Sequence, residues 1–337
     1  RVADEAFNLG SGTLHDTYMN REKIIDAALW MEADAIHPGY AFLSDDHKFA
    51  ENVNEAGLIF IGPSQQVLKK LSGKIEAKKI AKKIGFETVP GTKTSVNTLE
   101  EAKSFSESIG YPIIIKSVYG GGGLGVRVVN KESELEKAVD DVKGQGRFSF
   151  INNDIFIEEY LEPVRNIEFG FIADKNRKIV VFPEIEASIQ YQNQKLVAES
   201  PSNVLDNDIR ANIHGLIKKF VTDLDYTSLG NLEFLHYNGE LYFSEANNHI
   251  QLEHPLTERL TGIDKIKTQI LVAQDNSLDL TQEDVIPNGH TIGFRINAED
   301  PLFEFSPSTG TINELELRGG PGIRFDSNIY RGYTLSP

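Results

Sequence analysis

Leu232-Glu-Phe-Leu-His-Tyr-Asn-Gly-Glu-Leu-Tyr-Phe-Ser-Glu-Ala-Asn-Asn-His-Ile-Gln-Leu-Glu-His-Pro255 is the stretch that decides the fold. Two apolar runs flank Asn238-Gly239, a strong signal for a tight hairpin. Each run carries one carboxylate, Glu233 and Glu245, where an unpaired charge would be costly. Hard oxygen donors beside a cleft suit Mg²⁺, which takes substrate phosphates and water as its other ligands. The loop length decides whether the pair shares a face. With Asn238-Gly239 as the whole loop, Glu233 pairs with Ser244 and the glutamates fall on opposite faces. With Tyr237-Asn-Gly239 as a three-residue loop, Glu233 pairs with Phe243 and Glu245 lies two residues along on the same face. Metal binding requires this second register, whereas a half-exposed sheet with solvent-facing carboxylates requires neither. Alternation then aims Glu245, Asn247, His249, Gln251 and Glu253 to one side, before a helix opened by Pro255. Glu253 near a metal and an anion is a candidate general base. His254, before a proline, reads as structural.

Upstream lies a glycine loop, Ile113-Ile-Ile-Lys-Ser-Val-Tyr-Gly-Gly-Gly-Gly-Leu-Gly125, between two expected strands. Consecutive glycine N–H groups cradle phosphate oxygens, and Lys116 ends the strand that leads to them. The spacing is not that of a P-loop, in which Lys-Ser/Thr follows the last glycine. Around this hairpin, Thr98 and Glu101 form a capping box for a helix to about Ile109, and Asn130 caps another to about Val142. Before it runs a lysine-rich helix, Lys74–Ile84, and before that an alternation of helices and strands ending at Leu58–Ile61, which predicts a parallel sheet. After it, Ile155–Ile157, Ile167–Ala173 and Lys178–Ile185 predict a mainly antiparallel sheet. Asp206–Leu224 predicts a long helix, Asp264 caps one to about Gln274, and strands are expected at Thr291–Ala298 and Thr311–Leu317.

The 337 residues are too many for one average domain. Hydrophobic residues at 40% and charged residues at 25% provide for a folded core and exclude a disordered chain. A net charge of −16 argues against a nucleic-acid partner, which selects a basic face. The absence of cysteine removes disulfides and thiolate chemistry. No apolar run approaches the roughly 20 residues of a membrane span. A start at Arg1 without a signal-peptide core is expected for an internal piece of a soluble, intracellular protein.

Taken together these segments resemble the biotin carboxylase component of biotin-dependent carboxylases, an ATP-grasp family. The resemblance is carried by His37-Pro-Gly-Tyr-Ala-Phe-Leu-Ser44, Phe60-Ile-Gly-Pro63, the glycine loop, Ile157-Glu-Glu-Tyr-Leu161, Phe234-Leu235, Ile250–Pro255, Arg295-Ile-Asn-Ala-Glu-Asp-Pro301 and Ile329-Tyr-Arg-Gly-Tyr333, in family order across essentially the whole chain. It implies an α/β (α+β) ATP-grasp fold in four parts. These are an incomplete N-terminal parallel α/β domain (1–63), a helical linker (64–87), a glycine-loop lid (88–160) and a truncated, mainly antiparallel catalytic domain (161–337).

The resemblance also implies roles. Lys74 and Lys116 would bind ATP phosphates under a lid holding Gly120, Gly121, Gly122, Gly123 and Gly125. Glu158, Glu159 and Leu161 would line the adenine hinge, with Leu235 beneath the ring and Gln190 also in the nucleotide site. Glu233, Glu245 and Asn247 would hold Mg²⁺ or Mn²⁺. Lys195, Gln251 and the Leu252 backbone would bind bicarbonate, with His249 beside them. Glu253 would be the base, and Arg324 would stabilise the biotin enolate. The implied partners are a biotin carboxyl carrier protein or domain, a carboxyltransferase and a second copy of the chain. The implied location is the cytoplasm, or the mitochondrial matrix of a eukaryote. His249 stands where the family carries an arginine, which loses a bidentate fork. Asn166 and Asn193 replace common histidines, and Tyr119 and Leu124 replace a glycine and a basic residue. Two alternatives follow: another ATP-grasp ligase of the carbamoyl-phosphate or amino-acid type, and a nucleotide-binding homologue impaired by His249.

Overall fold

The computed structural model describes residues 3–40, 42–118, 125–149 and 154–335. They fall into two units, Arg1–Gly293 and Phe294–Pro337. The first unit opens with α1 (Arg21–Trp30), β1 (Ala35–Ile36), α2 (His47–Glu55) and β2 (Ile59–Phe60). The expected parallel pairing is present, with Ala35 opposite Ile59. Phe49, Val53, Phe60 and Leu68 form its buried core. Short helix α3 (Gln65–Leu71) and the lysine-rich α4 (Lys74–Ile84) lead through β3 (Glu87–Thr88) to the lid.

In the lid, α5 (Leu99–Ile109), β4 (Ile113–Ser117), β5 (Val126–Val129), α6 (Leu135–Ser149) and β6 (Ile155–Glu159) enclose a separate core. Thr98 and Glu101 make the expected capping box on α5. Strand β6 is a correction. Ile155–Ile157, assigned by pattern to the following antiparallel sheet, pairs instead with β4, Ile115 opposite Ile157. A fully buried strand has no alternation that ties it to one sheet or another.

The centre of the molecule is an eight-stranded sheet. It holds β7 (Arg165–Ala173), β8 (Ile179–Val181), β9 (Ile185–Tyr191), β10 (Gln194–Ser200), β11 (Ser228–Tyr237), β12 (Glu240–Asn247) and β13 (Thr291–Phe294), with β3 at one edge. One face is apolar: Phe169, Phe171, Phe234 and Phe243 are buried against α4 and α7 (Asn207–Asp223). The other face changes along β7. Ile172 packs with residues around α9 (Lys265–Ala273), while Glu168 lies further back on the same side of the strand. Helix α8 (His254–Thr261) begins shortly after the hairpin, with Pro255 in its first turn. The polar half of this face forms the site.

The second unit, Phe294–Pro337, has only short strands: β14 (Glu299–Asp300), β15 (Ser306–Pro307), β16 (Gly310–Thr311) and β17 (Thr334–Leu335). The strands expected at Thr291–Ala298 and Thr311–Leu317 shrink to Thr291–Phe294 and Gly310–Thr311. Ile296 and Leu302 are 88% and 87% exposed, so the apolar pattern finds no surface to bury against within the unit.

Candidate active site

The hairpin resolves its register in a way neither expected loop gives. Asn238 and Gly239 alone form the turn, with φ of 50° and 85°, and Tyr237 faces Glu240. The shorter loop should then separate the glutamates. Instead the register shifts after Phe234↔Phe243, Ser244 is an extra residue in β12, and Glu233 faces Glu245. A one-residue bulge reverses the side-chain alternation beyond it. Phe243 is thereby buried in the core while Glu245 turns to the cleft with Glu233.

Glu168 faces Glu233 from β7, so three carboxylates lie on one stripe of the sheet. Their charges are offset locally. Lys195 on β10 contacts Glu168 and donates to Glu233 Oε1 at 2.9 Å. Asn247 Nδ2 donates to the same oxygen at 2.8 Å, and Asn231 Nδ2 donates to Glu168 Oε2 at 2.9 Å. Lys74, in the first turn of α4, donates to Glu245 Oε2 at 3.0 Å. Burial and the charge of Glu233 push Glu168 up to about 7, against Lys195. Burial works against Glu233 too, but Lys195, Lys74 and Asn247 together hold its carboxyl below the usual range. Burial alone would depress Lys195; Glu233, Glu168 and Glu253 override it and raise it well above an ordinary lysine.

The Lys74 N–H donates to Val118 O at 3.2 Å and ties α4 to the end of β4, which brings Lys74 near enough to Lys116 for its charge to be felt there. Lys116 Nζ lies 2.8 Å from Glu158 Oε2, and Lys78 contacts the same carboxylate. Burial and the charge of Lys74 lower Lys116 to about 8. Glu158 and Leu161 are buried, and the Glu159 N–H is fixed by Pro90 O at 2.9 Å. Leu235 lies two residues from Glu233 on the same strand and the same face. Gln190 is the cross-strand partner of Lys195, with its amide nitrogen donating to Ala187 O at 2.8 Å. The Ser117 N–H donates to Gly125 O at 2.9 Å and closes the base of the glycine hairpin. Gly120, Gly121, Gly122 and Gly123, with Tyr119 and Leu124, lie outside the described residues.

Past Asn247 the strand ends, which corrects the expectation of unbroken alternation to Glu253. His249 Nδ1 lies 2.7 Å from Asp45 Oδ2, and Asp45 Oδ1 accepts the Asn248 N–H at 3.2 Å. Glu253 occupies the cap position of α8 in a helical rather than extended conformation (φ −80°, ψ −1°). It remains close enough to Lys195 and Glu168 for its charge to raise both. His254 is structural as read, with Nδ1 2.9 Å from Gln251 O. Arg324 belongs to the second unit, where its Nε lies 3.1 Å from Asp326 Oδ1.

The donors fit a hard divalent cation only in part. Among the described residues, no group of three or more His, Asp or Glu is placed to hold a metal. Two facing carboxylates and one amide suit Mg²⁺ whose remaining ligands are nucleotide phosphates and water. Lys74 and Lys195 now hold the positive charge beside these oxygens. Glu168, Asn231, Lys78 and Asp45 were missed in the sequence. Glu168 had the same signal as Glu233, a carboxylate inside an apolar strand; Lys78 looked like one more lysine on a solvated helix.

A small three-stranded sheet and a larger, mainly antiparallel one, with lysines and carboxylates brought together between α4, β4 and β11–β12, are the parts of an ATP-grasp ligase. Family models agree. Residues 1–68 match "Biotin carboxylase, N-terminal domain", 73–281 match "Carbamoyl-phosphate synthase L chain, ATP binding domain", and 293–337 match "Biotin carboxylase C-terminal domain". The chain belongs to the biotin carboxylase family. It is 41% identical to the biotin carboxylase of Haemophilus influenzae, over all of this chain and 75% of that one. It is 40% identical to the small subunit of 2-oxoglutarate carboxylase of Hydrogenobacter thermophilus, over all of this chain and 71% of that one. The biotin carboxylase domain dimer of that carboxylase, solved with MgADP, ADP and bicarbonate, superposes with a TM-score of 0.96 at 40% identity, covering 99% of this chain and 74% of that one.

Proposed function

We propose that the protein carboxylates biotin carried on a biotin carboxyl carrier protein or domain, using ATP and bicarbonate. The observation that carries this is the facing pair Glu233 and Glu245, held by Lys195 and Lys74 respectively, with Glu253 near enough to act on Lys195. Lys74 and Lys116 take the nucleotide phosphates under the lid that includes Gly125, and Glu158, Glu159, Leu161, Leu235 and Gln190 surround the base and sugar. Glu233, Glu245 and Asn247 would hold Mg²⁺, which supplies charge neutralisation on the transferred phosphoryl group. Bicarbonate binds against Lys195, Gln251 and the Leu252 backbone, with His249 at its edge. Glu253 takes its proton, and its oxygen attacks the γ-phosphate to give carboxyphosphate and ADP. Carboxyphosphate releases CO₂, and the phosphate formed assists removal of the biotin N1 proton. A guanidinium of the second unit, Arg324 by the family pattern, stabilises the enolate that captures CO₂. A carboxyltransferase partner, a homodimer and a cytoplasmic or mitochondrial-matrix location complete the reading. Among the described residues no helix is long and apolar enough to cross a membrane.

The test is ADP release by the purified protein with Mg²⁺ and ATP. Bicarbonate dependence and stimulation by free biotin are expected, and release indifferent to both overturns the proposal. The contact of His249 with Asp45 sustains a second reading, a nucleotide-binding homologue without bicarbonate chemistry. His249→Arg separates them. Active wild type, with the substitution lowering the KM for bicarbonate, supports catalysis; inactive wild type that still binds ADP supports the second reading.

A further inference from the structure

Lys74 and Lys78 are four residues apart on α4 and so share one helix face. Lys74 goes to Glu245, whereas Lys78 goes to Glu158, the carboxylate that also holds Lys116. Glu158 is 1% exposed, so its charge must be matched inside the protein. Two ammonium groups from separate elements, α4 and β4, meet on it. That is one cation more than a single carboxylate needs. The surplus has a use if one of the two must leave.

Lys116 is the one that leaves, because phosphate oxygens entering beside Lys74 compete for its donors. Without another cation, the move would strand a buried carboxylate, and the carboxylate would hold Lys116 back. We propose that Lys78 is a positioning residue for nucleotide binding, the standing counter-ion of Glu158 that frees Lys116 for the phosphates. Lys78 is suited to stay. Its side chain is only 12% exposed, and its ammonium lies 5.9 Å over the Phe156 ring. Burial and the ammonium groups of Lys116 and Lys74 push it well below an ordinary lysine, and its contact with the Glu158 carboxylate acts in the opposite sense, favouring the charged form. An incoming polyphosphate also relieves the repulsion among the three lysines. This inference rests on the nucleotide site proposed above and adds Lys78 to it.

The experiment compares dissociation constants of metal-free ADP and of adenosine for wild type, Lys78→Met and the double variant Lys78→Met/Glu158→Gln. The ratio of the two constants isolates the phosphates from base contacts and folding. In Lys78→Met the preference for ADP over adenosine should fall by about tenfold or more, because Glu158 retains Lys116. In the double variant the preference should return toward wild type, since an uncharged amide no longer traps Lys116. A single variant with unchanged preference overturns the inference, and so does a double variant that fails to recover it. Should Lys78→Met not fold, Lys78→Gln takes its place, with the same fall in preference expected and an unchanged preference overturning the inference. Wild type that binds neither ligand instead removes the nucleotide site itself.

Discussion

Lys195 bridges Glu168 and Glu233, and its charge is held up by those carboxylates and by Glu253. Lys195→Met should lower bicarbonate-dependent ADP release by roughly 100-fold, the scale seen when one preorganised donor is removed from a site. Binding of ADP, measured by calorimetry, should change far less. Lys116 gives a pH signature. Its pKa of about 8 is depressed, chiefly by burial, so it is an ammonium below that value and neutral above it. Affinity for ADP should therefore fall as pH rises through about 8, which titrations on either side of that value check. At this scale the carboxylates Glu233 and Glu245 were legible, because a charge inside an apolar strand is costly unless it has a task. Lys78 was not: its helix carries five lysines, and only the fold distinguishes the buried ones from those that cover the surface.

Among elements, the β11–β12 hairpin shows where period-two reasoning stops. Asn238-Gly239 named the turn, while the burial of Phe234 and Phe243 on one face emerged only with the fold. The bulge at Ser244 left no mark, since one extra residue looks the same as one more step of alternation. A shared face for Glu233 and Glu245 was inferred from a three-residue loop, and the geometry reaches it by another route. β11 also carries a packing limit at Gly230. A Cβ there would stand 2.5 Å from Phe171 Cζ and 2.6 Å from Tyr226 Oη, in a buried layer. Gly230→Ala should destabilise the protein by about 1–3 kcal/mol, the usual scale of overpacking. Chemical denaturation checks this, and a midpoint equal to wild type would refute it.

For the whole molecule, the character of the second unit was not legible in the sequence. Phe294–Pro337 repeats apolar residues at strand spacing but leaves most of them exposed. Strands in so short a unit have few neighbours to pair with. Amide exchange should accordingly be fastest across residues 294–335 and slowest in β7 and β11, whose inner residues are almost fully buried. Equal protection in both would contradict this. The net charge of −16 also acts at this scale, since the substrates proposed are anions. Lys74, Lys116 and Lys195 concentrate positive charge beside Glu245, Glu158 and Glu233.

The contact of Asp45 with Asn248 joins residues 203 positions apart. Closing a loop of that length costs on the order of 5 kcal/mol of chain entropy before any contact within it helps. Such a contact is expected to form late, after the central sheet and the helices packed on it have shortened the path. The loop bearing Asp45 thus makes the corner at Asn248 and His249 a reporter of complete assembly. A chain with its strands paired but this tether open would carry native secondary structure and no competent site. Defects in folding would then show as lost turnover before they show as lost structure.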